Sequence, residues 1–136
     1  MIDSINYLNF KCFEDRSVSF RPLTVLAGLN SSGKTSVLQG PLLLHQSYQY
    51  QLLPGIGLAL NGPLASVGAA QDALFVRANE DRIGFEVCWR DSIRANFAFQ
   101  FGAEADVLDI DAASDLPEEV FETALFEQQQ FQIVSA

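Results

Sequence analysis

Apolar and polar positions alternate most clearly between residues 82 and 101. Ile83, Phe85, Val87 and Trp89 alternate with Arg82, Gly84, Glu86, Cys88 and Arg90, and Phe97, Phe99 and Phe101 alternate with Asn96, Ala98 and Gln100. A period of two puts one set on a buried face, so these are two strands, and the short link Asp91-Ser92-Ile93-Arg94 predicts a hairpin. Residues 74–77 before it and 107–110 after it extend the pattern to an antiparallel meander with one greasy face. Near the N-terminus, Ile5, Tyr7 and Phe10 set against Ser4, Asn6 and Asn9 predict a strand over residues 2–10. Glu14-Asp15 reads as a polar turn, and residues 17–20 as a second short strand. After Pro22, the run Leu23-Thr24-Val25-Leu26-Ala27 has the apolar, β-rich character of a central buried strand.

From Lys34 to about Gln51 the period changes. Val37, Leu38, Pro41, Leu42, Leu44 and Leu53 fall near a 3.6-residue repeat, which predicts a helix. Gly40-Pro41 interrupts it, and proline removes a helical hydrogen bond and crowds the preceding turn, so a kink or an early break is expected there. Residues 54–71, rich in Gly and Ala and containing Asn61-Gly62-Pro63, read as a loop. Asp115-Leu116-Pro117-Glu118 has the form of a helix start, with a buried stripe from Leu116, Val120, Phe121, Ala124 and Leu125. Residues 131–136 read as a strand that stops as soon as it begins.

At 136 residues, with 49% hydrophobic and 18% charged, the chain fits one domain with a real core. The net charge of −9 is unevenly placed. Residues 1–94 hold all eight basic side chains and eight acidic ones, so the whole excess lies after Arg94. The asymmetry argues against a nucleic-acid backbone lying along that acidic third, because displacing counterions needs Lys and Arg. Cys12 and Cys88 stand apart, without a CxxC or a Cys/His cluster. That rules out a structural zinc site and fits two buried free thiols in a reducing compartment. Met1-Ile2-Asp3-Ser4 lacks a signal-peptide pattern, and the apolar stretch from Leu52 to Leu60 is too short and too broken to cross a bilayer. A cytoplasmic location is expected.

Gly28-Leu29-Asn30-Ser31-Ser32-Gly33-Lys34-Thr35 matches G-x-x-x-x-G-K-[ST] in full. Gly28 and Gly33 allow the tight turn that makes successive N–H groups converge on one point. The amides from Asn30 through Ser31, Ser32, Gly33, Lys34 and Thr35, with Ser36 beyond, suit phosphate oxygens, and a following helix adds its positive dipole end. Lys34 brings a compact charge to the β- and γ-phosphates, and the Thr35 hydroxyl is a hard oxygen ligand for Mg²⁺. The motif both follows an expected strand and opens an expected helix. Hydrolysis also needs a carboxylate on a neighbouring strand and a group to orient water. The nearest imitation, Val107-Leu108-Asp109-Ile110-Asp111, alternates as a half-exposed strand does, with Asp109 and Asp111 expected toward solvent. His45, eleven residues past Lys34, lies roughly 16 Å along a helix from it, so packing or a surface position is its expected role. Trp89 is expected in the core, and no Ser-His-Asp constellation is available.

With the phosphate loop placed, the chain resembles the N-terminal lobe of ABC-type ATPases of the RecF, SMC and OLD group. Ile5-Asn6-Tyr7-Leu8-Asn9-Phe10-Lys11-Cys12-Phe13 looks like that group's strand followed by Asn-Phe-Lys/Arg, a small residue and an aromatic. Ser31-Ser32-Gly33-Lys34-Thr35-Ser36-Val37-Leu38 is similar to its helix opening, and Asn61-Gly62-Pro63 with Gly68-Ala69-Ala70-Gln71-Asp72 resembles the loop into its antiparallel β-subdomain. The resemblance implies an α/β P-loop NTPase fold, the N-terminal part of an ABC ATPase head, with that β-subdomain attached. It also implies ATP and Mg²⁺ as ligands, head-to-tail homodimerisation around nucleotide, and work in DNA repair or phage defence. Lys11 matches a basic residue beside the nucleotide, and Gln71 falls near the position that senses the γ-phosphate.

Residues 1–136 are accordingly expected to form a single partial ATPase domain. Residues 1–53 would supply strands, phosphate loop and first helix, and residues 54–136 the loop, meander, helix and cut-off strand. In such proteins the signature motif, the Asp-Glu strand and the switch histidine lie beyond residue 136. The chain alone is therefore expected to be incomplete and inactive, with DNA contacted only through other regions. The rival reading is a non-catalytic protein-interaction module with a vestigial phosphate loop. A small kinase or GTPase would need NKxD or an Arg-rich lid, and neither occurs.

Overall fold

Alternation through the middle of β1 (Ile2–Phe10) buries Ile5 and Tyr7 while Ser4 and Asn6 stay partly exposed. The computed structural model describes residues 2–11, 13–19, 31–53, 55–78, 80–89, 92–102 and 105–122, with the backbone alone for 31–36, 38 and 122. The other elements are β2 (Phe13–Ser19), α1 (Ser31–Gln49), β3 (Gly57–Ala59), α2 (Ala70–Ala73), β4 (Arg82–Trp89), β5 (Arg94–Gln100), β6 (Val107–Asp109) and a 3₁₀ turn at Glu118–Glu122. Four strands form one sheet in the order β2-β1-β4-β5, with every neighbouring pair antiparallel. β3 and β6 form a second, two-stranded sheet. No helix among the described residues is long and apolar enough to cross a membrane.

The expected hairpin is present. Phe85 pairs with Phe97 and Ile83 with Phe99, and Ile83, Phe85, Val87, Trp89, Phe97 and Phe99 are all buried. Its neighbours differ from expectation. Residues 74–77 add no strand; only Leu74 bridges to Phe10, and Val76 is exposed. β6 pairs with β3, inside the stretch expected to be loop, rather than continuing the meander. The chain then runs from β6 to the outer edge of β5. There Ile110 bridges Phe99, Asp115 bridges Asn96, and the Ser114 hydroxyl bonds the Ala98 carbonyl at 2.9 Å. An open sheet edge is a template for unwanted pairing, and this segment closes it.

β2 begins at Phe13, so Glu14-Asp15 lies inside a strand instead of forming a turn. The reversal sits three residues earlier. Lys11 adopts a left-handed conformation (φ 55°), Phe10 pairs with Phe13, and Asp15 accepts a bond from Asn6 Nδ2 across the ladder at 3.0 Å. The helical start expected at Asp115 appears as the short 3₁₀ turn, in which Val120 is buried and Phe121 stacks on Tyr48 at 5.0 Å. Ala124, Leu125, the expected strands at 23–27 and 131–136, and Phe20 lie outside the described residues. The described sheets are antiparallel, so the parallel core of an α/β head is not among them.

α1 runs unbroken from Ser31 to Gln49 with Pro41 inside it, so the expected early break does not occur. Its second half is held on two sides. Leu43 and Leu44 are fully buried, while buried Gln46 satisfies four partners on the following loop. Gln46 Nε2 donates to the Ala59 and Ala65 carbonyls at 3.2 and 3.0 Å, and Oε1 accepts from the Leu64 and Ala65 amides at 3.2 and 3.1 Å. Ser47 donates to the Leu43 carbonyl at 2.6 Å and accepts from the Ala59 amide at 2.8 Å, tying β3 to the helix. Gly62 lets the loop come this close, since a Cβ there would meet Gln46 Oε1 at 2.7 Å.

Gly40 performs the same service on the sheet side. A Cβ at that position would lie 2.7 Å from Tyr7 Cε1 and 3.2 Å from Phe85 Cε1. Helix propensity alone favours alanine over glycine by about 0.8–1.0 kcal/mol. Overpacking two rigid buried rings costs ~1–3 kcal/mol, which outweighs it. Gly40→Ala should therefore lower stability, by up to about 2 kcal/mol in urea unfolding; a gain in stability would refute this packing.

Candidate functional site

The candidate site is built around the N-terminal end of α1. The helix starts at Ser31, so Gly33, Lys34 and Thr35 fall within its first two turns, with no acidic residue in the first. Gly28 and Asn30 lie outside the described residues, and for Ser31, Ser32, Gly33, Lys34, Thr35 and Ser36 the helical backbone alone is described. A helix end carrying free amides, an ammonium and a hydroxyl, with no nearby carboxylate in its first turn, is a donor set that fits a triphosphate with Mg²⁺.

Below this end, the Tyr7 hydroxyl donates to the Val37 carbonyl at 2.7 Å. Both residues are fully buried, so water has no access to that carbonyl. Tyr7 also sits in a ring cluster, 5.8 Å from Phe85 in edge-to-face geometry and 5.2 Å from Phe13, while Phe10 meets Phe85 at 5.1 Å. Such pairs contribute about 0.5–1.5 kcal/mol each beyond area burial. Burial pushes the Tyr7 hydroxyl far above the usual tyrosine pKa, because the phenolate would lose its hydration.

Lys11 stands at the far end of β1 on a clamped corner. Asn9 and Lys11 both have positive φ, 54° and 55°, a region that asparagine tolerates better than lysine. Three bonds hold the corner: Lys11 N–H to the Ala73 carbonyl at 2.7 Å, Phe75 N–H to the Asn9 carbonyl at 2.9 Å, and Asn9 Nδ2 to the Arg82 carbonyl at 3.1 Å. α2, which contains Gln71, is thereby brought beside Lys11 through the backbone; Gln71 itself is exposed. Two left-handed non-glycine residues in one three-residue corner mark a backbone held there by its surroundings.

The remaining candidates separate from this site. Asp109 is exposed, as expected, but Asp111 is not left to solvent: its Oδ2 lies 3.4 Å from Arg82 Nε, and Oδ1 accepts from the Ala113 amide at 2.8 Å. Among the described residues no group of His, Cys, Asp and Glu is placed to hold a metal ion. His45 is buried within α1, and Trp89 is in the core, its indole nitrogen without a hydrogen-bond partner among the described residues. Cys88 is a free thiol, half-buried rather than buried, and Cys12 lies outside the described residues.

A family described as the AAA ATPase domain matches residues 1–130. The chain belongs to this family. No match was found among curated proteins or among solved structures. For this AAA ATPase domain, membership supports a P-loop NTPase fold, binding of ATP and ATPase activity at the level of the family, typically with Mg²⁺. Sequence reasoning missed Tyr7, Gln46 and Ser47. Tyr7 had a usable signal, since a tyrosine on the apolar face of a buried strand needs a hydrogen-bond acceptor nearby.

The buried phenol has a consequence at high pH. Above about pH 10, the usual tyrosine value, the unfolded AAA ATPase domain loses the Tyr7 proton while the folded one keeps it. The unfolded state then binds fewer protons, so stability falls as pH rises, by up to about 1.4 kcal/mol per pH unit from this group. Chemical unfolding between pH 9 and pH 11.5 should show this limb in the wild type and a shallower one in Tyr7→Phe. Equal slopes in the two proteins would contradict it.

Proposed function

We propose that this AAA ATPase domain is the ATP-binding lobe of a cytoplasmic ATPase of the RecF/SMC/OLD type. The observation that carries the reading is the G-x-x-x-x-G-K-[ST] sequence from Gly28 to Thr35 opening α1 at Ser31. In this reading the amides of residues 30–35 and the Lys34 ammonium hold the triphosphate, and Thr35 provides an oxygen to Mg²⁺. Lys11, on its clamped corner, faces the same nucleotide.

Hydrolysis is assigned to groups outside the described residues and to a second head in a head-to-tail homodimer. Asp109 is exposed and Asp111 is engaged by Arg82, so neither carboxylate is offered to the nucleotide's metal. The antiparallel sheet β2-β1-β4-β5 supports the comparison with the β-subdomain of such heads. The acidic stretch from Glu104 onward would repel a polyphosphate, so contacts with DNA in repair or phage defence would run through other parts of the assembly.

Calorimetric titration of the chain with Mg-ATP, beside Lys34→Ala, tests the reading. Binding in the wild type, weakened at least about 10-fold by the substitution, is expected from loss of one charge-assisted contact. Equal affinity in the two proteins, or no binding in either, overturns it.

A further inference from the structure

Helical geometry pairs the N–H of each residue with the carbonyl four positions earlier. The carbonyl of Val37 should therefore be bonded by residue 41, and residue 41 is a proline with no N–H to give. The proline ring also crowds that same carbonyl and turns it away from the helix axis. In the dry core an unpaired carbonyl is costly, and the Tyr7 hydroxyl takes the place of the missing donor at 2.7 Å. Gly40 makes the exchange geometrically possible, since any Cβ there would collide with the Tyr7 ring. Gly40, Pro41 and Tyr7 are one device.

The location of the device matters for the site. C-terminal to Pro41, the helix is anchored by Leu43 and Leu44 in the core and by Gln46 and Ser47 on the loop and β3. N-terminal to it lie the turns that carry Lys34 and Thr35. The missing backbone bond falls between these halves, where a proline helix bends most easily. Tyr7 ties the N-terminal half to β1, the strand that carries Asn9 and ends at Phe10, just before Lys11.

We propose that Tyr7 is a positioning residue for the phosphate loop: its bond to the Val37 carbonyl replaces the one Pro41 withholds and fixes the first turns of α1 against β1. This rests on the ATP-binding reading above. It adds that affinity depends on a side chain that touches no phosphate. Because Tyr7 stays neutral, the hydroxyl remains a donor throughout the working pH range.

A double-mutant cycle on the full chain tests it, using Tyr7→Phe, Pro41→Ala and the pair. Two readouts are taken at a temperature where circular dichroism shows all four proteins folded. One is the dissociation constant for Mg²⁺ with a fluorescent ATP analogue, and the other is amide hydrogen exchange at residues 33–37 without nucleotide. Tyr7→Phe alone should weaken binding about 5-fold or more and speed exchange at 33–37. In the Pro41→Ala background a backbone N–H is again available to Val37, so the same substitution should change both readouts less than 2-fold. An equal effect of Tyr7→Phe in both backgrounds, or none in either, overturns the proposal. If Lys34→Ala binds the analogue as the wild type does, the ATP reading fails by itself, and the exchange cycle still decides whether Tyr7 fixes the helix.

Discussion

The structure turns on a carbonyl that its own helix cannot satisfy. Pro41 denies Val37 a backbone partner, the site is sealed from water, and the Tyr7 hydroxyl supplies the bond from the neighbouring sheet. Helix and sheet are consequently joined at a defined point rather than by apolar contact alone. Hydrophobic packing tolerates sliding by fractions of a residue; a buried hydrogen bond on a rigid ring does not. The remaining contacts are arranged around that point. Gly40 lets the ring approach, Phe13 and Phe85 hold the ring in place, and Gln46 and Ser47 secure the far half of the helix.

β1 serves both ends of the arrangement. Its middle carries Tyr7, bonded to the Val37 carbonyl of α1, and it runs into the strained Asn9–Lys11 corner that is bonded to Ala73 and Phe75. The tie to α1 and the Asn9–Lys11 corner are therefore both set by a single strand, flanked on both sides by antiparallel neighbours. Displacing either part means moving the centre of a four-stranded sheet.

Much of this was legible in the chain. The alternation through Ile83, Phe85, Val87 and Trp89 identified β4, and the 3.6-residue repeat from Lys34 identified α1, which begins three residues earlier at Ser31, because each is a local pattern with a local cause. The errors have physical reasons too. Glu14-Asp15 looked like a turn by composition, but pairing with β1 overrode the local preference and the reversal moved to Lys11. Of the kink or early break expected at Gly40-Pro41 the break is absent, and the donor that compensates for Pro41 lies 34 residues away, on a strand that no local pattern connects to it. β3 was hidden in a Gly/Ala-rich stretch because three residues are too few to show a period. Non-local hydrogen bonds and very short strands leave little trace in a single sequence.

In the proposed reading α1 is anchored along its C-terminal half and offers its N-terminal end to a polyphosphate. Amide hydrogen exchange of the wild-type chain, with and without Mg-ATP, tests this most directly. Residues 43–47 and 58–60 should be strongly protected without nucleotide, and Mg-ATP should add protection over residues 28–37 while leaving β2 unchanged. Protection spread evenly over the chain, or none gained at residues 28–37, would contradict it.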